Sequence, residues 1–339
     1  MKHKAIFIPL ICVGGIVLSL ATAIGALNLL KFAIYHDFYS INQDAMKCPD
    51  LNNGFIPQGV GINERGDEYD VLIAGYMNKN EASRIYITNE NNESRYVSLL
   101  ENKAPWFGHT GGISVSGAYA YLVNEGVRTA TDGTKVVENG YVYQITLSDL
   151  LDKDVTSIDL ANYNKFQTAN HASCVYAGDE YIWIAEYNDD KSYPCKHAYT
   201  NPSDSTKTQK AIVTKYALSD LSTPLMHISI PNYVQGFVAN PNNGEFVLSI
   251  SHGLSSSYLK LYKSEEAVDL NTSLDGAPVY YLSSSYRDVK APAMSEDLDF
   301  NSVNGKVYTV FESASDKYIF GKFFNAYDVH SLDFWPKEA

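Results

Sequence analysis

The chain has 339 residues, 45% hydrophobic and 19% charged, a balance that excludes wholesale disorder and collagen-like repetition. Lys and Arg number 26 against 39 Asp and Glu; Lys2, Lys4 and Lys31 flank an apolar run without acids, so the rest carries 23 basic groups against 39 acidic, a net of −16. A body this acidic repels phosphate backbones, which argues against nucleic acid as a partner and suits cations or neutral ligands.

The first element in chain order is the uncharged stretch from Ala5 to Leu30, 26 residues. As a helix it is long enough to cross roughly 30 Å of hydrocarbon at about 1.5 Å per residue. Lys2 and Lys4 on the short leading side favour a cytoplasmic amino end, with the remainder extracytoplasmic. The expected division is therefore a signal anchor over 1–34 and an extracytoplasmic domain over 35–339, a single-pass protein of the cell membrane. A cleaved leader is the competing reading, because Ala21-Thr22-Ala23 has the small-x-small form of a processing site, and the protein would then be secreted. Bulky Ile11 before Cys12 argues against lipoprotein processing. Cys48, Cys174 and Cys195 remain; Cys174 with Cys195 as a disulfide and free thiols are both open readings, and no CxxC or Cys-His zinc spacing is present.

From about residue 55 onward, short runs rich in Val, Ile, Tyr and Phe alternate apolar with polar and are separated by Asn, Gly, Asp and Ser. The body is predicted to be all-β. It also repeats. Leu147-Ser148-Asp149-Leu150 recurs as Leu218-Ser219-Asp220-Leu221, each after a strand, with a looser copy over 326–332. Five strand pairs open at Gln58, His109, His171, Gln235 and Glu296, with entries 51 to 64 residues apart. Their second strands run over 70–76, 119–125, 181–187, 246–252 and 307–313. Third strands are read at 84–88, 141–145, 212–216, 258–262 and 326–332, and fourth strands at 96–99, 157–160, 226–230 and 279–282. Four strands per repeat around an axis is the arithmetic of a β-propeller with five blades, or six if one is concealed in the boundaries. The fifth repeat lacks its outer strand, which residues 38–48 are placed to supply, closing the ring and hiding its edges. A β-sandwich is the rival architecture. The longest insertion, Asn188 to Lys210, lies between the second and third strands of blade 3 and reads as a lid or as tolerated length.

The phrases Phe55-Ile56-Pro57-Gln58-Gly59-Val60, His109-Thr110-Gly111-Gly112-Ile113-Ser114-Val115, and Met294-Ser295-Glu296-Asp297-Leu298 with Val310-Phe311-Glu312-Ser313-Ala314 resemble those of secreted or membrane-anchored bacterial β-propeller proteins. More distantly the chain is similar to propellers of the paraoxonase, strictosidine-synthase and regucalcin type. The closer resemblance covers about residues 55 to 332 and implies fold and compartment, not a reaction. The distant enzymes usually have six blades and acidic or Asn metal ligands near the axis, whereas the entries here are mostly Gln and His.

Inner strands of a propeller begin near its axis, so Gln58, His109, His171, Gln235 and Glu296 are expected to converge as a ligand-binding constellation around a common pore. His109, His171 and Glu296 could hold a divalent ion such as calcium or zinc; the same side chains would also serve ordered water or backbone. A second ring of acids, Glu125, Glu186 and Glu312, follows the next strands. Glu125 and Glu186 are expected on solvated loops. Trp183 is expected in the core, Trp106 in packing between blades or against a ligand, and Gly111-Gly112 at a close turn. No GxSxG elbow, P-loop, HExxH or GxGxxG placed between strand and helix occurs. Three functions follow as expectations: binding of a small ligand or metal at the axis, hydrolysis of the metal-dependent lactonase or esterase type with His109 or His171 as base or ligand and Glu296 as ligand, and scaffolding of other envelope proteins.

Overall fold

Strands that alternate apolar and polar side chains bury both faces only if their sheets stack, and here they stack around an axis. The computed structural model describes residues 22, 25–26, 29–129, 135–318, 321, 324 and 326–336. Blade 1 comprises Phe55–Arg65, Glu68–Met77, Arg84–Asn89 and Ser94–Glu101; blade 2 Ile113–Ser116, Tyr119–Asn124, Tyr141–Thr146 and Asn164–Gln167. Blade 3 comprises Cys174–Ala177, Tyr181–Ala185, Ala211–Ala217 and Asp220–Ile230; blade 4 Val234–Ala239, Glu245–Ile250, Ser257–Lys263 and Arg287–Ala291. Blade 5 takes Ser295–Asn301, Lys306–Phe311 and Asp328–Leu332 from the end of the chain and Asn42–Lys47 from its beginning. The chain is a five-bladed β-propeller.

The ring closes as expected: Asn42–Lys47 runs antiparallel to Asp328–Leu332, from Asn42 opposite Leu332 to Lys47 opposite Asp328. The preceding helix, His36–Ile41, fastens the clasp by burying Phe38 fully, with its ring 5.6 Å from Phe311 and 5.3 Å from His330. Burial of one such ring stabilises by about 2 kcal/mol. The anchor expected over 1–34 falls largely outside the described residues. Among those described, no helix is long and apolar enough to cross a membrane.

Two of the expected fourth strands belong to other blades. Ser157–Asp159 adds in parallel to Ser94–Glu101 of blade 1, and the outer strand of blade 2 is Asn164–Gln167. Ala277–Tyr281 likewise adds in parallel to Asp220–Ile230 of blade 3, while Arg287–Ala291 completes blade 4. In both places the chain leaving a third strand first crosses to the exposed outer edge of the preceding blade and covers it. The Leu-Ser-Asp-Leu repeat also takes two forms: Leu147–Leu151 is a short helix, and in the second copy Asp220 already opens a strand. Trp183 is in the core as expected, 5.4 Å from Phe237 and 5.6 Å from Phe246 of blade 4, and Trp106 is buried against Tyr143 of blade 2, the packing reading of the two given for it.

The axis is not an open bore. Glycines let the inner strands approach until backbones touch: a Cβ on Gly59 would lie 2.8 Å from the Ile113 nitrogen, and one on Gly112 2.8 Å from the Val175 nitrogen and 3.0 Å from Asp297 Oδ2. Each inner strand is the edge of its own sheet, so its inward amides need acceptors that no neighbouring strand supplies. Buried acids of blade 5 provide them. Asp297 Oδ2 accepts from Ile113 N at 3.1 Å and Val60 N at 3.4 Å, and Asp299 accepts from Ile62 N at 2.7 Å and Ser114 Oγ at 3.1 Å. Ser114 Oγ accepts in turn from Ala177 N at 3.0 Å, so blades 1, 2, 3 and 5 are tied through side chains along the axis. Burial raises both carboxyls well above their ordinary range; for Asp297 the nearby Asp299 adds to the shift, and the amides they accept from oppose it.

Candidate functional site

The closed axis leaves its chemistry at the end where the inner strands begin. There the two rings read from the sequence meet blade by blade, because an inner strand enters beside the exit of its antiparallel second strand. In blade 2, His109 Nδ1 lies 2.6 Å from Glu125 Oε1. In blade 3, His171 Nδ1 lies 3.8 Å from Glu186 Oε1. Blade 5 has an acid in both places, Glu296 beside Glu312. Glu125 and Glu186 are thus buried partners of the histidines, not the solvated loop residues expected from their neighbours in sequence. A carboxylate can be buried where an imidazole on the adjoining strand compensates it.

These pairs raise proton affinity by different causes. Burial works against a charged His109, but the charge of Glu125 and its hydrogen bond prevail, and the imidazole is raised above its usual value. Glu296 is raised well above the carboxyl range, first by burial and then by Glu312, Asp297 and Glu125. It therefore keeps its proton where an exposed glutamate has lost it. Glu312 is fixed from outside: Tyr76 Oη donates to Oε1 at 2.9 Å and Tyr318 Oη to the same oxygen at 2.6 Å, while Lys317 Nζ donates to Tyr76 Oη.

Aromatic side chains complete the mouth. The Tyr76 ring lies 5.2 Å from the His109 ring, Tyr187 lies 5.5 Å from Tyr193 and 6.1 Å from Tyr233, and Tyr233 lies 4.5 Å from His252. Tyr187 Oη and His252 Nδ1 are 3.1 Å apart. Tyr233 holds a left-handed backbone, φ 67°, immediately before the inner strand of blade 4, a conformation rare for a bulky residue. Tyr193 arrives on the Asn188–Lys210 insertion, which the sequence reading left between lid and spare length. These tyrosines were not singled out by sequence; with 26 in the chain, nothing local distinguishes them from the rest.

The five entry residues do not act as one set. Gln58 is buried, its Nε2 donating to the carbonyl of Pro57 at 2.9 Å, and Gln235 is half-buried. The His171 ring turns to the Tyr187 carbonyl, 2.7 Å from Nε2. The metal set of His109, His171 and Glu296 does not gather within ligand distance; the group that does, among the described residues, is His171, Glu186 and Cys195, whose ligand atoms lie within 4.8 Å of one another. The reason is the pairing above, which turns each histidine toward its own blade's glutamate. Cys48, Cys174 and Cys195 are all free, so the Cys174 to Cys195 bridge is not formed.

No family model matches the chain, and no curated protein matches it. Similar solved structures include a glucose dehydrogenase, 8% identical over 86% of this chain and 98% of that one with a TM-score of 0.41. They also include a GH43_1 enzyme from Xanthomonas citri, 10% identical over 83% and 86% with a TM-score of 0.42, and the soluble aldose sugar dehydrogenase from Escherichia coli, 8% identical over 86% and 97% with a TM-score of 0.39. Likeness at this level says nothing of chemistry, and the propeller assignment rests on the sheet order.

Proposed function

We propose that this propeller binds a small polyhydroxylated ligand, of the sugar class, at the mouth formed by Tyr76, His109, Glu125, Glu296 and Glu312. The observation that carries the reading is the Glu296 and Glu312 pair set among tyrosines from several blades. Carboxyl groups, an imidazole and phenols offer both donors and acceptors to hydroxyls, and tyrosine rings offer faces to the apolar side of a sugar ring. The anionic body suits a neutral or cationic ligand over a phosphorylated one.

A second reading, hydrolysis of a glycosidic bond, is favoured by the same pair. Such chemistry asks for one carboxyl that carries a proton to the leaving oxygen and one ionised nearby. Glu296, held protonated, is the acid, and Glu312, oriented by Tyr76 and Tyr318, is the neighbouring carboxyl. A metal-dependent lactonase or esterase would instead need His109 and Glu296 on one ion, and their immediate partners are Glu125 and Glu312. The uncharged run over 5–30 supports placing the propeller outside the cytoplasm, on an anchor or after a cleaved leader as in the secreted or membrane-anchored bacterial propellers it resembles; a protease-accessibility assay on intact cells tests that placement.

Calorimetric titration of the purified chain with a panel of mono- and oligosaccharides tests the binding. Saturable binding that weakens at least about tenfold in both Glu312→Gln and Tyr76→Phe is the expected result, since the first removes an acceptor oxygen and the second the phenol that orients it. Binding that is absent across the panel, or indifferent to both changes, removes the proposal. Turnover of aryl glycosides that survives in Glu296→Gln removes the hydrolytic reading.

A further inference from the structure

Beside the mouth, four side chains with metal-binding atoms enclose a cavity of about 20 Å³, room for one water-sized object. They are His171 at the entry of blade 3, Glu186 at the exit of its second strand, and Cys195 and His197 from the insertion. His197 Nε2 lies 3.5 Å and His171 Nδ1 3.8 Å from the same oxygen, Glu186 Oε1. The edges of a tetrahedron with metal bonds of about 2.0 to 2.3 Å are roughly 3.3 to 3.8 Å.

The outer contacts already fix these groups. Tyr187 N donates to Ser173 Oγ at 2.9 Å and lies 3.2 Å from His171 Nε2, and the Tyr187 carbonyl sits 2.7 Å from that nitrogen; the shortest of these contacts is assigned as a donation from the ring, which turns Nδ1 inward. Glu186 Oε2 accepts from Ile212 N at 3.0 Å, presenting Oε1 to the cavity. Cys195 N donates to Asn188 Oδ1 at 2.9 Å, and the His197 ring stacks on Tyr199 at 6.2 Å. His171 Nδ1 and Glu186 Oε1 thus face each other across the cavity, and Cys195 Sγ lies within 4.8 Å of both. Independently, Asn170 lines the same cavity, is 3% exposed, and has no hydrogen-bond partner for Oδ1.

We propose that His171 Nδ1, Glu186 Oε1, Cys195 Sγ and His197 Nε2 bind a single zinc-class divalent ion that pins the insertion to blade 3. Two imidazoles, a thiolate and a carboxylate suit zinc over calcium or magnesium, which take oxygen ligands. His171, Glu186 and Cys195 already lie within 4.8 Å of one another, and His197, 3.5 Å from Glu186, supplies the fourth ligand on binding; a sphere filled by protein makes the role structural, holding in place the loop that brings Tyr193 to the mouth. Binding releases the thiol proton of Cys195 to solvent and so weakens as pH falls.

The test is titration of the full chain, stripped with chelator, with Co²⁺ and then Zn²⁺. The expected result is one equivalent bound, a thiolate-to-cobalt charge-transfer band that zinc displaces, and a zinc-dependent rise in melting temperature. Cys195→Ser should abolish the band, and His197→Ala should weaken zinc binding at least about tenfold. Both positions lie on the insertion and outside the blade strands, and His197→Ala carries the test if the cysteine variant does not fold. Saturation without a charge-transfer band, or zinc affinity unchanged in both variants, overturns the proposal.

Discussion

The buried acids near the axis make stability itself a function of pH. Glu296, Asp297 and Asp299 have folded-state values raised above the unfolded carboxyl range, so over the interval between the two values the native chain holds protons that the unfolded chain has released. Stability must then fall as pH rises from about 4 upward. His109 acts in the same direction higher up: its folded value is raised, so its contribution is complete below about 6.5 and is lost as pH climbs through the folded value. Asp50, Asp159, Asp190, Asp204 and Asp220, the last lowered to about 2, act the opposite way and withdraw their support on acidification. The expected outcome is a melting temperature that peaks at mildly acidic pH and declines toward pH 8, with a shallower decline in Asp297→Asn, which can still accept from Ile113 N. A wild-type melting temperature that climbs between pH 5 and 8 contradicts the protonated axis. At this scale the sequence was half legible: Glu296 and the histidines were visible as entries, but Glu125 and Glu186 looked solvated because burial of an acid depends on a partner in another strand. Cys195 and His197 carried only a Cys-x-His spacing inside a polar loop, a signal too short to separate from a surface turn.

Among the elements, the inner strands show what glycine is for. At Gly112 any side chain meets backbone of blade 3 on one side and the Asp297 carboxylate on the other, neither of which can swing away. Gly112→Ala is expected to cost at least about 2 kcal/mol in urea unfolding. Gly66→Ala, at φ 68° with open space around it, should cost only the backbone penalty of about 1 kcal/mol. Equal losses would mean that the strands around Gly112 have slack. Strand positions were legible because alternation and turn residues are local. Two outer strands were assigned to the wrong blade because a short apolar run looks the same whether it pairs antiparallel with its predecessor or parallel with the edge of the preceding blade. That choice is made by three-dimensional neighbours, as with Ser157–Asp159 and Ala277–Tyr281.

Over the whole molecule, the five-blade count and the closing strand were readable because repetition survives in the entries even where strand sequences diverge. The closure can be tested by removal. A chain starting after Lys47 would leave Asp328–Leu332 as an open sheet edge and lose the buried Phe38. It should unfold several degrees lower and associate through the bared strand, read by scattering during a melt. A truncated chain that melts like the parent and stays monomeric would show that the clasp contributes little.

That clasp also imposes an order of events. Because Asn42–Lys47 waits for Asp328–Leu332, nearly three hundred residues must be synthesised before the ring can lock. A ribosome that stops short releases an unfastened chain with two orphan edges, so quality control could recognise an incomplete product by its unzipped seam.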